Sequence, residues 1–352
     1  MRFPLSRPTL GDQEADNVRD AMASGWISGT GPYVGVLERS LEQRLGRAAA
    51  IAVSSGTTAL EIVLSALGVG PGDEVIVPAL TFAAPAAAVL TVGAVPVLCD
   101  IDPMSWTISP EAAHALRTER TKAVIAVDLM GHPCDFEGLA ELDVPIVEDA
   151  AQAHGARTEK GPAGGFGVAS VFSFHVNKAV TSGEGGAVLT DDLELAERVR
   201  LLVHHGMPPG QGYRHTVAGR NGRMTNLSAA VGAAQVSRWD ELVAGRLRVE
   251  RLYDVRLENR GFEPRPKRSW ASPSCWLYGA TSQDRDAVVE RARRHGVDAR
   301  AVWPALSDLP LYRPYAPGRC PRASEVSRTA MWLPTWSHMT AEDVDAVVEA
   351  LV

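Results

Sequence analysis

A chain of 352 residues, 45% hydrophobic and 22% charged, can bury a large core, and it reads as a larger domain over residues 1–227 and a smaller one over 228–352. The net charge of −7 weighs against nucleic acid or an anionic membrane as a partner. No apolar run reaches about 18 residues and no signal-peptide core opens the chain, so the sequence predicts a cytoplasmic protein with no membrane partner. Cys99, Cys134, Cys275 and Cys320 lie far apart without a C-x-x-C pair, which predicts reduced structural thiols and no metal site.

The first thirty residues carry one helix, capped by Thr9 or Asp12 and running from Glu14 to Met22. Ile27 to Gly35 is too rich in glycine for a regular element and reads as a loop. A helix from Val36 to Leu45 ends at Gly46.

Ala48 opens a strand, turn and helix: AIAV is apolar, SSGTT turns, and Leu60, Val63, Leu64 and Leu67 have helical spacing. Such a turn either aims backbone N–H groups and a helix dipole at a phosphate or is an ordinary capped junction. The alternation continues with a strand at Glu74–Val77, a helix at Ala83–Thr91 and a strand at Val95–Cys99. Phe82 falls at a strand's carboxyl end, where open α/β sheets bind ligands; it either stacks on a flat ring or plugs the core.

Ala123–Val127 and Pro145–Ala150 read as strands with a short helix at Phe136–Leu142 between them. Asp149 ends the second strand next to Gln152 and His154. A carboxylate buried there needs a cationic or N–H partner, either a protonated pyridine nitrogen or one of the many arginines. Val171, Phe172 and Phe174 form a further strand with Ser173 and His175 on its other side. Lys178 follows, then Gly183, Gly185 and Gly186 before the strand-like AVLT at Ala187–Thr190. The chain has only four lysines, Lys122, Lys160, Lys178 and Lys267. An ammonium at the end of a buried strand is costly unless it is paired or neutralised, whereas a lysine that forms a Schiff base with a carbonyl cofactor has a reason to be there.

From Ser228 to Asn259 the chain reads as one or two long helices, Pro264–Pro273 is a connector, CWLYGAT (275–281) is a strand, DRDAVVERARRHG a capped helix and VDARAVW another strand.

SSGTTAL, VPALTF, VEDAAQAHGA, SFHVNKAVTSGEGG and GRNGRMTNLSAAVGAAQV stand in the order seen in the DegT/DnrJ/EryC1/StrS family of pyridoxal-phosphate-dependent sugar aminotransferases, which the chain resembles over nearly its whole length. The resemblance implies a fold type I α/β architecture: a mainly parallel seven-stranded sheet with helices on both faces, a smaller C-terminal α/β domain, and a homodimer with shared active sites. It implies pyridoxal 5'-phosphate bound to Lys178, with Asp149 on the pyridine nitrogen, Phe82 on the ring face and Gln152 near the ring hydroxyl. Gly56, Thr57 and Ser173 are implied at the phosphate, with Asn221 reaching it from the neighbouring subunit. His175, Arg223, Trp303 and Tyr312 are implied as substrate contacts, with Arg300 beside them; alternatively Arg300, Trp303 and Tyr312 belong to a packed aromatic cluster. Two departures concern the substrate side. SGWISGTGPYV carries an extra glycine between Ser28 and Gly31, and Arg220 and Gly222 flank Asn221 where the family usually has tyrosines.

By this analogy the enzyme takes an amino group from L-glutamate or L-glutamine and passes it to a keto group on a second substrate. That acceptor is a nucleotide-linked keto-sugar, or alternatively a keto-cyclitol of the aminoglycoside type. A pyridoxal-phosphate dehydratase is disfavoured by the presence of Lys178. A non-catalytic cofactor-binding regulator is the reading from another class, and no basic segment supports it.

Overall fold

The computed structural model describes residues 1–208 and 210–352. Seven strands form the main sheet: β1 Ala49–Val53, β2 Glu74–Pro78, β3 Val95–Cys99, β4 Thr121–Val127, β5 Ile146–Asp149, β6 Ala169–Ser173 and β7 Gly186–Thr190. They lie in the order β1-β7-β6-β5-β4-β2-β3. β2 to β6 pair in parallel, and β7 is antiparallel to both β1 and β6. β1 therefore points the same way as the parallel five, and the carboxyl ends of β1, β2, β5 and β6 share one rim.

Helices cover both faces: α1 Asp12–Ser24, α2 Pro32–Leu45, α3 Gly56–Ala66, α4 Ala84–Thr91, α5 Pro110–Leu116, α6 Phe136–Ala140, α7 Leu193–Val203, α8 Asn226–Ser237 and α9 Trp239–Leu257. Alternate residues of β1 serve opposite cores. Ile51 and Val53 join Leu60 and Val63 of α3, while Ala50 and Ala52 join Leu37 and Leu41 of α2 and Ala229 and Ala233 of α8. Burial on two faces is why β1 is an unbroken apolar run rather than an alternating one.

A second, antiparallel sheet orders β8 Glu263–Pro264, β9 Tyr278–Thr281, β10 Arg300–Ala301 and β11 Ala330–Leu333 as β8-β9-β11-β10. Val249 and Tyr253 of α9 close its core together with α10 Arg285–Arg294 and α12 Ala341–Glu349; α11 Pro321–Thr329 precedes β11. Among the described residues no helix is long and apolar enough to cross a membrane.

Several boundaries differ from the sequence reading. The cap of α1 is Gly11, whose N–H donates to Glu14 Oε2 at 2.8 Å; Thr9 instead bonds His338. α2 begins at Pro32, four residues early, because proline fits the first helical turn. The loop before it is held by Asn226, which donates to the Trp26 carbonyl at 2.5 Å and accepts from Tyr33 N–H at 2.8 Å. A Cβ on Gly31 would lie 2.1 Å from Asn226, so that glycine is obligatory. The strands expected over 275–281 and in VDARAVW shrink to β9 and β10, since only those residues find ladder partners. Asp284 precedes α10 without a side-chain cap bond. α5, α7, α11, β11 and α12 were not expected from sequence.

Candidate active site

The carboxyl rim of the sheet holds a cavity of about 350 Å³. The turn between β1 and α3 forms one wall. Ser55 caps α3, accepting from Thr58 N–H at 3.1 Å, and as the first helical residues Gly56 and Thr57 have N–H groups with no partner inside the helix. Two glycines hold this turn against the sheet. A Cβ on Gly186 would meet the Ser55 carbonyl carbon at 2.6 Å and Gly56 N at 2.7 Å, and one on Gly56 would meet Ser173 Cβ at 3.0 Å. The close approach puts the helix N-terminus and the Ser173 hydroxyl at one point, a cradle suited to an anion.

Opposite stand the charged groups. Asp149 ends β5 and is buried; its Oδ1 accepts from Ala151 N–H at 3.1 Å. Burial raises its carboxyl to a pKa of about 6, although that N–H bond and the Lys178 charge pull the other way. Lys178 is 9% exposed, and its Nζ sits 4.2 Å from the centroid of the Trp276 ring. Burial brings its amine down to about 8, against the attraction of Asp149 and with help from the Arg246 charge. A lysine half-deprotonated near pH 8 is a nucleophile, which an exposed lysine is not. Gln152 is fixed because its Oε1 accepts from Met130 N–H at 2.9 Å, at a residue whose φ is 53°.

Phe82 is 52% exposed at the cavity, 5.4 Å from Trp303, so it is free to stack rather than plugging the core. Trp276, Trp303 and Trp332 continue that wall as a cluster of rings 4.5–5.9 Å apart. Its tryptophans come from the second sheet and the segments flanking it. His175 lines the mouth, with Nδ1 3.0 Å from Asn177 Oδ1 and Nε2 3.7 Å from Glu184. Arg300 also lines it, held by Asp298 through bonds of 2.7 and 2.8 Å.

Of the residues singled out from sequence, Gly56, Thr57, Phe82, Asp149, Gln152, Ser173, His175, Lys178, Arg300 and Trp303 come together here. Three do not. Tyr312 is buried in the same apolar core as Cys320, just before the turn at Arg313–Tyr315, and packs there rather than at the cavity. Arg223 bridges to Val53 and packs its stem where a Cβ on Gly29 would come within 2.9 Å. Asn221 is exposed in the bridge to His204, away from its own chain's cavity.

Sequence reasoning missed Thr81, Leu5 and Trp276 as lining residues. Thr81 Oγ1 is buried at the cavity with no protein partner, an orphan that a polar ligand atom would satisfy. An amine, a carboxylate, an exposed aromatic face, a helix N-terminus and an orphan hydroxyl around one space suit a flat, phosphorylated, cationic heteroaromatic aldehyde. Pyridoxal phosphate has that chemistry.

Comparison with known proteins agrees. GDP-perosamine synthase of Caulobacter vibrioides is 37% identical over 362 residues, spanning 99% of this chain and 97% of that protein. The aminotransferase TlmJ of Streptoalloteichus hindustanus superposes with a TM-score of 0.93 at 31% identity, covering 99% of this chain and 97% of that one. A putative sugar aminotransferase, Spr1654 of Streptococcus pneumoniae, gives 0.93 at 28% identity in its PMP form, covering 99% and 96%. The pattern of the DegT/DnrJ/EryC1/StrS aminotransferase family matches residues 8–352, and the chain belongs to that family of pyridoxal-phosphate-dependent aminotransferases.

Proposed function

We propose that the enzyme moves an amino group from L-glutamate or L-glutamine to the keto group of a nucleotide-linked sugar, with Lys178 as the residue that binds the cofactor and then carries the proton. The observation behind this is that the buried Lys178 amine and the buried Asp149 carboxyl line one cavity. Gly56, Thr57 and Ser173 would hold the phosphate, Phe82 would cover one ring face, Gln152 would meet the ring hydroxyl, and Asp149 would keep the ring nitrogen protonated. Bound pyridoxal phosphate supplies an electron sink for the carbon that loses its proton. Lys178 Nζ, with a proton affinity near neutrality, takes that proton as base and returns it as acid. His175, Trp303 and Arg300 line the mouth through which both substrates would enter.

Whole-length similarity to a GDP-perosamine synthase favours a GDP-linked keto-sugar as acceptor over a keto-cyclitol. This is checked by mixing the pyridoxamine-phosphate form with GDP-, UDP- and dTDP-linked keto-sugars and with cyclitol ketones. The aldehyde absorbance is expected to return at least tenfold faster with a GDP-sugar than with any cyclitol; the reverse order would replace this acceptor class.

The reading includes a cytoplasmic homodimer, consistent with four free buried cysteines. It divides the chain into a cofactor-binding part and a smaller C-terminal part; the division expected between residues 227 and 228 falls within α8, whose Ala229 and Ala233 pack against the main sheet, so the proposed boundary moves along α9, where Val249 and Tyr253 join the second sheet's core. It also assigns Asn221 to the neighbour's phosphate, since its exposed side chain lies outside its own cavity. Losing that bond to a charged acceptor costs about 1.5–3 kcal/mol. Mixing Lys178→Ala with Asn221→Ala, each nearly inactive at limiting cofactor, puts both lesions in one site of the heterodimer and leaves the other intact. Activity is therefore expected to rise from near zero; no rise with subunit exchange verified would mean that Asn221 serves its own subunit.

A further inference from the structure

Arg246 of α9, 1% exposed, is a buried cation without a counterion. Its guanidinium donates only to uncharged groups: Nη1 to the Trp276 carbonyl, and Nη2 to the Asn177 carbonyl at 3.2 Å, the Lys178 carbonyl at 2.9 Å and Ser6 Oγ at 3.2 Å. Nε has no partner. Among the described residues no carboxylate forms an ion pair with it. The Asn177 carbonyl also accepts from Trp276 Nε1 at 3.1 Å, and the Trp276 ring lies on Lys178 Nζ. One fork thus ties the N-terminal arm, the lysine loop and the tryptophan wall together.

Taking a guanidinium out of water without a carboxylate is costly, but a neutral amide has only two N–H groups for these three carbonyls and one hydroxyl. The fork supplies the donors, and its charge comes to rest next to the Lys178 loop. We propose that Arg246 is a positioning residue for Lys178, clamping the Asn177–Lys178 carbonyls and setting a permanent positive charge beside the amine.

Burial is the main cause that brings the amine down to about 8; the Arg246 charge adds to it, opposing protonation of Nζ against the pull of Asp149. The other groups around the amine do not replace it. Asp149, from the end of β5, pulls the opposite way; His154, from the following loop, is buried and held neutral. His175, Glu184 and Arg300 stand around the cavity mouth. Even lowered by burial to about 10, Arg246 stays charged at neutral pH.

The inference rests on Lys178 being the lysine that takes the cofactor. Borohydride reduction and peptide mapping of the unaltered protein test that separately, because a label on another lysine would remove the site reading itself. Arg246 is then tested by the pH titration of the cofactor's absorbance in the bound protein. Arg246→Gln keeps two N–H donors and loses the charge, so the midpoint is expected about one pH unit higher, a roughly tenfold loss of the deprotonated form at fixed pH. Arg246→Lys keeps the charge and loses the fork. Its midpoint is expected within a few tenths of the wild type, while capture of added pyridoxal phosphate by the cofactor-free protein slows about fivefold or more. An unchanged midpoint in Arg246→Gln overturns the charge role. If that variant does not fold, Arg246→Lys decides: wild-type capture overturns the clamp, and a midpoint raised like a charge loss overturns the electrostatic role.

Discussion

Lys178→Ala is expected to fold, to bind pyridoxal phosphate without a covalent link, and to lose turnover by about 10⁴-fold or more. General acid–base transfer by a placed side chain contributes roughly 10²–10⁴-fold, and loss of covalent capture adds to that. Binding should survive because the phosphate turn at Gly56 and Thr57, the Phe82 face and Asp149 are all built by backbone that Lys178 does not support. Folding should survive because the lysine is not a net stabiliser at neutral pH. Its folded-state pKa of about 8 is below the unfolded value near 10.4, so its favourable contribution is complete only above about 10.4 and is lost as pH falls through 8. Borohydride mapping should label Lys178. The other three lysines face solvent, with Lys160 and Lys267 also paired to Glu137 and Glu250. A label on any of these, or near-normal turnover in Lys178→Ala, would end the assignment.

The legible part of this molecule is the part whose chemistry is local. β1 and β2 are buried on both faces, so each is a short apolar run that a reader can find, and in β5 the carboxylates Glu148 and Asp149 stand out against Ile146 and Val147. Asp149 and Lys178 were visible for that reason, one at the end of such a run and the other five residues beyond β6. Arg246 was not. In AGRLRVERLY it is one arginine of several on a long helix, and only contacts to residues about seventy positions away show that it is buried. Trp276 was read as part of a strand, but the ladder starts at Tyr278 and leaves the indole free to cover the lysine. Tyr312 failed in the other direction: the ring packs in the same apolar core as Cys320 rather than at the cavity, and no spacing rule reports that.

Asp149→Asn should retain cofactor and lose about 3–5 kcal/mol of transition-state stabilisation, roughly 10²–10⁴-fold in kcat, because an amide cannot hold a ring nitrogen protonated. A carboxylate here is a liability to the empty fold. Its folded pKa of about 6 is above the unfolded value near 3.9, so the folded state holds this proton more tightly. The resulting stability is fully present below about pH 4 and is lost as pH rises through 6. In the cofactor-free protein, wild-type Tm should therefore fall relative to Asp149→Asn between about pH 4 and 6 and hold level above that. Bound cofactor reverses the balance: a ring cation next to the carboxylate favours its ionised form and draws its pKa below 6. The acid limb of kcat in the wild type should accordingly lie below pH 6. Turnover of Asp149→Asn within threefold of wild type would show that this carboxylate does not face the ring nitrogen, and a cofactor-free Tm difference that does not change with pH would show that it does not carry the cost of its burial.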